Sequence, residues 1–461
     1  MKNSLLQNGI LALAVFLLLC PIASTFAQSD SGFDVIRLND SQPIIDQAMF
    51  TAVGVEDEGS NINGPSLIRI PDWIPPSERA DPTAVYYLYF AHHTGDYIRM
   101  AWATDLEGPW TLYQTGVGVP LGDRGVLDNG NTTIFLGMGV EIRENHLASP
   151  DVHIDNETEE IIMYFHSGSP TAVNGTLINS QHSWVSTSED GLEFYDNIRP
   201  VRFGSSYLRV FSHGGELYSL DNSGFPRRAL DPDNPWEPTD DYYSDPTTIP
   251  LLWERHPNRV LQDPIEDLGI ERGVLRVRHT AVRVVGDELQ VFYTERGTNP
   301  SNPAPERVLF STIDLGVDDW EDWQFSYPGE LILEAIPGWE GGQFPVLPSE
   351  LGSAPEDVNQ LRDPGVFEDS DGAFYLIYAG RGEDALGIAQ LSGADILVGD
   401  MNDDGSVNFM DIPPFISALI DPVNYQEMFN LDPNVSGDLN GDEVISFLDI
   451  PGFIEVLINN A

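Results

Sequence analysis

Arg362-Asp363-Pro364-Gly365-Val366-Phe367, a short turn, then Phe374-Tyr375-Leu376-Ile377-Tyr378: a polar start feeds a strand, and an aromatic-rich strand returns. Short runs of β-branched and aromatic residues bounded by Gly, Pro, Asp and Ser read as strands. The same unit occurs four more times. Asn63-Gly64-Pro65-Ser66-Leu67-Ile68 precedes residues 86–90 (YYLYF), and Ser149-Pro150-Asp151-Val152-His153-Ile154 precedes residues 162–165 (IMYF). Tyr207-Leu208-Arg209-Val210-Phe211 precedes residues 216–220 (ELYSL), and Arg278-His279-Thr280-Ala281-Val282 precedes residues 289–294 (LQVFYT). Three units add a third strand and a turn ending in an aromatic, at residues 101–110, 184–194 and 309–320. Four-strand units in radial array make a β-propeller, so five units predict five blades over residues 33–395. The fifth unit has no evident last strand after residues 386–391, and residues 33–38 are expected to supply it and close the ring.

In a propeller the inner strands start, and the second strands end, at one mouth of the central channel. This gathers Asn63, His146, Ser149, Asp151, His153, Tyr207, Arg209, Arg278, His279, Arg362 and Asp363 from strand starts. Strand ends add His92, His93, His166, Glu295, Arg296 and Arg381. Six of the nine His fall in this set. His and Arg at one mouth of an acidic protein point to an oxygen-rich ligand, carboxylate or sulfate included. The carboxyl groups gathered there, Glu295, Asp363 and Asp151, are the candidates for acid–base work. Glu295 is assigned the acid role because it follows a buried aromatic strand that would raise its pKa. Asp363 or Asp151 is then the base or nucleophile. His92, His93, His166, Arg209, Arg278, His279, Arg362 and Arg381 are the expected substrate contacts. Competing readings are a structural salt bridge for Arg362-Asp363-Pro364, a turn for Asp151 and His153, and backbone-satisfied rings for His92 and His93. Trp102, Trp110, Trp184, Trp320 and Trp323 read as blade packing rather than sugar platforms.

The blade pattern, with Arg362-Asp363-Pro364 and Ser149-Pro150-Asp151, resembles the five-bladed propeller glycoside hydrolases of families 43, 32 and 130. The resemblance implies a glycosidase acting on a polysaccharide or oligosaccharide. Family 43 carries an Asp at the start of the first inner strand. Here that stretch is Asn61-Ile62-Asn63-Gly64-Pro65, so the family's three-carboxylate arrangement does not transfer whole. A non-catalytic glycan-binding propeller and a phosphorylase-like enzyme, which needs one acid and a cationic phosphate pocket, are the alternatives. The His cluster is also a place for a metal.

Residues 399–461 form a second unit. Calcium loops place oxygen ligands at positions one, three, five, seven, nine and twelve, with Gly at six. Asp400, Asn402, Asp404, the Ser406 carbonyl, Asn408 and Asp411 fill these slots, with Gly405 at the turn. Asp438, Asn440, Asp442, the Val444 carbonyl, Ser446 and Asp449 repeat the pattern, with Glu443 in place of the glycine. A left-handed turn is costlier without Gly, so the second Ca2+ site is expected to be weaker. Each loop runs into a matching apolar segment, residues 412–420 (IPPFISALI) and 450–458 (IPGFIEVLI). Proline is tolerated at the first helical turn. Asp at position twelve and the paired loops resemble a dockerin, a small α-helical module. The resemblance implies a cohesin-like or cell-surface partner.

Lys2, an apolar run from residue 10 to 19 and a small-residue exit read as a secretory signal peptide over residues 1–27. The run is too short to span a bilayer. Cys20, the single cysteine, lies within it, so the exported chain would carry no disulfide and would rely on an apolar core. The formal net charge of −51 becomes −52 once Lys2 is removed. Such acidity disfavours nucleic acid and anionic membrane as partners. The expected protein is secreted, mainly β, without a transmembrane segment.

Overall fold

The computed structural model describes residues 27–28, 33–129, 140–142, 146–168, 171–173, 176–178, 181–195, 198–203, 206–222, 224–232, 253–257, 275–297, 305–317, 319–326, 329–349, 352–355, 357–392, 398–402, 407–429, 433–440 and 444–459. Nearly all of the expected signal segment, Cys20 included, lies outside these residues. So do Asp404, Gly405, Ser406, Asp442 and Glu443 of the calcium loops, and much of the 113–145 and 221–275 insertions.

Five antiparallel blades are present. Blade one is Asn63–Arg69, Tyr86–Ala91, Tyr97–Ala103 and Thr111–Tyr113; blade two is Leu147–Asp155, Glu160–Ser167, His182–Ser188 and Arg199–Phe203. Blade three is Arg209–His213, Glu216–Leu220, Pro226–Ala229 and Trp253–Arg255. Blade four is Leu275–Val285, Glu288–Gly297, Val308–Asp314 and Glu330–Leu333. Blade five is Arg362–Glu368, Phe374–Gly380 and Ala385–Ser392, completed by Asp34–Arg37, which pairs antiparallel with Ala385–Ser392. The N-terminal strand thus closes the ring.

The reason the second strands of blades one and five are almost wholly apolar is now visible. Alternate strand residues point to opposite faces of a sheet, and here both faces are covered. Tyr87 and Tyr89 pack toward blade two, while Tyr86, Leu88 and Phe90 pack toward blade five. In blade five, Phe374, Leu376 and Tyr378 face blade four, while Tyr375, Ile377 and Ala379 face blade one. The core of the propeller is therefore five wedges, one between each pair of neighbouring blades. Trp110, Trp184, Trp320 and Trp323 are buried in these wedges.

A sixth cluster belongs to the C-terminal unit, whose helices are Ile412–Ile420, Pro422–Phe429, Pro433–Ser436 and Ile450–Asn459. Phe415 and Phe453 hold the same place in the two sequence repeats, and their rings stack at 4.0 Å. The repeats thus pack on each other through equivalent residues. Among the described residues, no helix is long and apolar enough to cross a membrane.

Candidate functional site at the channel mouth

Each blade places one residue in the left-handed backbone region on its inner strand or, in blade three, two residues before it: Gly64 (φ 60°), Ser149 (53°), Tyr207 (57°), His279 (48°) and Asp363 (49°). In four blades the pairing register shifts at this level. A bulge of this kind re-aims a side chain, and holding a non-Gly residue there costs roughly 1–3 kcal/mol. Blade one uses Gly64 because a Cβ would sit 3.2 Å from the Ser149 Cα. Of the five positions, blade five alone carries a carboxyl group, Asp363.

Asp363 is buried. Its Oδ1 accepts a hydrogen bond from the Tyr207 hydroxyl at 3.0 Å and lies 3.1 Å from His279 Nδ1. Its Oδ2 is buried with no hydrogen-bond partner among the described residues. The Tyr207 and His279 rings stack at 4.6 Å, and the Arg209 guanidinium lies 4.2 Å from the Tyr207 centroid. Burial, then repulsion from Glu383, pushes the Asp363 carboxyl up to about 7.

Beside it lies a buried ionic network. Arg362, fully buried, reaches Glu383 at 2.8 Å and Glu306 at 3.1 Å. Arg278 lies 3.8 Å from Glu383 and 3.9 Å from Glu306. Gln360 accepts from Arg362, Ser349 and Thr294 donate to Glu306, and Asn61 donates to Glu383 at 2.6 Å. Burial opposes ionisation of Glu383, yet Arg362, His93 and the Asn61 amide hold its pKa below the ordinary value. Two neighbouring carboxyl groups thus have affinities for protons driven in opposite directions, the arrangement that separates an acid from a base.

The expected residues divide accordingly. Asp363, His279, Arg278 and Arg362 come together. His93 joins them, with Nδ1 3.7 Å from Glu383. His146 and His166 face each other, Nε2 to Nε2 at 3.1 Å. Burial lowers His92 and His146 to about 4, and holds His93, His166 and His279 below the usual range. These rings are neutral at neutral pH, and the two buried arginines face Glu306 and Glu383. The mouth is therefore less cationic than its composition implies. Among the described residues, no three His, Asp or Glu side chains gather as a metal-ligand set.

Asp151 sits two residues past the Ser149 bulge, on the wall of an axial cavity of about 180 Å³ lined by the inner strands of all five blades. Its Oδ2 accepts from the Val210 amide at 2.8 Å and faces His153 Nε2 at 2.9 Å. Arg209, alongside, donates to the carbonyls of Thr280 and Pro150. Thr294 points into the Arg278–Glu306 network. Strand alternation sends the next residue, half-buried Glu295, to the opposite face. Arg381 pairs with Asp357 and Asp384, on a pocket of about 250 Å³ that Glu383, Asn61, Ser60 and Gln47 also line.

Sequence reasoning missed Glu306, Glu383, Asn61, Gln360 and Ser349. One signal existed for Glu383: it follows Arg381-Gly382 directly beyond the blade-five aromatic strand, at the mouth end.

In the C-terminal unit the described loop residues adopt matching geometry. Asp411 Oδ1 accepts from the amides of Met401 (2.7 Å) and Asn402 (3.2 Å), and Oδ2 from Asn408 (2.7 Å). Asp449 repeats this with Leu439 (3.0 Å), Asn440 (3.1 Å) and Ser446 (2.7 Å). Asp400, Asp411 and Asp449 are buried. Val444 is exposed, as are Phe409, Met410, Phe447 and Leu448, the tenth and eleventh residues of each loop.

No protein-family model matches the chain. A levansucrase of Streptococcus mutans is 28% identical over 144 residues, 31% of this chain and 17% of that enzyme. Among solved structures, the Cellvibrio cellulosa α-L-arabinanase complexed with arabinohexaose aligns at a TM-score of 0.42 with 12% identity, covering 72% of this chain and 92% of that one. The uncharacterized protein R118 of Acanthamoeba polyphaga mimivirus is 30% identical over 381 residues, 82% of this chain and 96% of R118. The chain belongs to the same family as R118.

Proposed function

We propose that this protein is a secreted glycoside hydrolase whose working carboxyl is Asp363. The observation that carries the reading is a buried carboxyl at the channel mouth with one oxygen held by the Tyr207 hydroxyl and the other without a hydrogen-bond partner among the described residues. Protonated Asp363 donates from Oδ2 to the glycosidic oxygen, and ionised Glu383 stabilises the developing positive charge or activates water. This exchanges the acid role expected for Glu295 for one at Asp363. A phosphorylase would need free cationic groups for phosphate, whereas Arg278 and Arg362 are engaged by Glu306 and Glu383.

The test is a hydrolysis screen across a glycan array with Asp363→Asn, Glu383→Gln and Glu295→Gln. Turnover is expected to fall in the first two by roughly a hundred- to ten-thousand-fold and to persist in Glu295→Gln. Unchanged turnover in Asp363→Asn removes the assignment. Glycan binding without turnover in the parent would favour a non-catalytic glycan-binding propeller.

The C-terminal unit is proposed to bind two Ca2+ and to dock to a cohesin-like or cell-surface partner. Its oxygen donors, the paired use of Asp411 and Asp449, and the exposed pairs Phe409–Met410 and Phe447–Leu448 support this. Calorimetric Ca2+ titration is expected to show two sites, the one at residues 438–449 weaker. Asp411→Ala should remove the tighter site alone. No calcium uptake would end the dockerin-like reading.

A further inference from the structure

We infer that Asn61 and Asn63 are positioning residues for Glu383: their side-chain amides offer its carboxylate donors only, so that Glu383 is held in place as a base with no acceptor beside it for a proton. The inference rests on ionised Glu383 working opposite Asp363.

Three consecutive residues at the entry to blade one are fastened to Glu383. Asn61 Nδ2 donates to Oε2 at 2.6 Å, the Ile62 amide donates to the Glu383 carbonyl at 2.6 Å, and Asn63 Nδ2 reaches Oε2 at 3.4 Å. The Asn61 side chain has one orientation that satisfies its neighbours. Its Oδ1 accepts from the His93 amide at 2.8 Å and from Asn63 Nδ2 at 2.9 Å, which turns its Nδ2 to Glu383. Arg99 Nη1 anchors the same residue by donating to its carbonyl at 2.9 Å. The other carboxylate oxygen, Oε1, accepts from Arg362 at 2.8 Å. The charged and titratable groups facing Glu383 are Arg362, Arg278 at 3.8 Å, His93 at 3.7 Å and the repelling Asp363. On its own loop, Arg381 and Asp384 pair with each other. Among the described residues, every hydrogen bond to the carboxylate comes from an Asn or Arg nitrogen, which cannot accept. A proton on Glu383 would therefore face a donor and leave a bond unmade in a buried site. Asn61, Asn63 and Glu383 are buried, yet Asn61 and Glu383 line the pocket of about 250 Å³, so the cradle borders open space. An aspartate in place of either amide would set a second carboxylate against Oε2, and the two would share a proton.

The experiment follows the Glu383 carboxyl by carbon NMR in the full chain labelled with 13C-glutamate, Glu383→Gln identifying the resonance. Asn61→Ala is expected to raise its titration midpoint by about one pH unit, and Asn61→Asp by roughly two to three. A base works ionised, so the acidic limb of kcat/KM should rise with the midpoint. A role confined to packing would lower the melting temperature and leave the midpoint in place. A midpoint unmoved in the folded Asn61 variants overturns the cradle. A midpoint that moves while the acidic limb does not would instead overturn Glu383 as the base and leave the cradle standing. If neither Asn61 variant folds, Asn63→Asp decides by the same criterion, with a smaller rise expected from its longer contact.

Discussion

Asp363→Asn is expected to cut turnover by roughly a hundred- to ten-thousand-fold and, above pH 7, to leave the protein more stable than its parent. Burial and Glu383 raise the proton affinity of Asp363 in the folded state from the ordinary carboxyl value of 3.8 to about 7. Folding therefore favours the protonated form. The stability that this contributes is complete below pH 3.8 and is lost as pH rises through 7. An amide does not titrate, accepts the Tyr207 hydroxyl through its oxygen, and removes the like charge facing Glu383. The gain is on the order of 2–4 kcal/mol at pH 8 and vanishes near pH 4. Urea unfolding at the two pH values measures it. An Asn variant that is less stable at pH 8 would show that Asp363 is ionised and well paired in the folded protein. Stability and activity pulling in opposite directions at one residue is the signature of a group kept for chemistry rather than for folding.

Arg362→Met should have the opposite and larger effect. The guanidinium is fully buried and is shared by Glu306 and Glu383. Breaking a buried pair from one side strands the partner charge, which costs about 3–5 kcal/mol. Here two carboxylates lose their closest cation, leaving Arg278 at 3.8 Å from Glu383 and 3.9 Å from Glu306. Glu383 contributes stability above the ordinary value of 4.5 and loses it as pH falls. The gap between parent and variant should therefore shrink between pH 7 and 4.5, because Glu383 can escape its isolation by taking a proton. A gap that does not depend on pH would mean that Arg362 matters for packing and not for charge.

The blades were legible because second strands such as those of blades one and five are buried on both faces, and that leaves unbroken apolar runs at residues 86–90 and 374–378. The closing strand was legible too, since a fifth blade without a fourth strand needs one from the other end of the chain. The short outer strand Trp253–Arg255 was not, because a three-residue strand beyond a long insertion has no period to read. The mouth was half legible. Topology alone names which strand ends meet, and so found Asp363, His279, Arg278 and Arg362. It cannot see Glu306 and Asn61, which reach the site from segments before strands, whereas Glu383, just beyond one, was within its reach. The charge balance of the mouth was hidden from the sequence for a related reason: Glu306 and Glu383, both outside strands, are what offset the arginines. Nor does sequence spacing distinguish Asp151 from Asp363, although two residues along a strand separate a channel wall from a channel mouth.

The pairing of Asp34–Arg37 with Ala385–Ser392 makes the two ends of the propeller chain meet in one sheet. That sheet also carries Asp363. During synthesis the first strand has to wait for the last blade, and long-range pairing of this kind is slow to form. Asp363 thus lies in the blade whose sheet is the last to be completed. On the proposed function, a chain that lacks its last blade would lack this carboxyl, so activity would await completion of the ring.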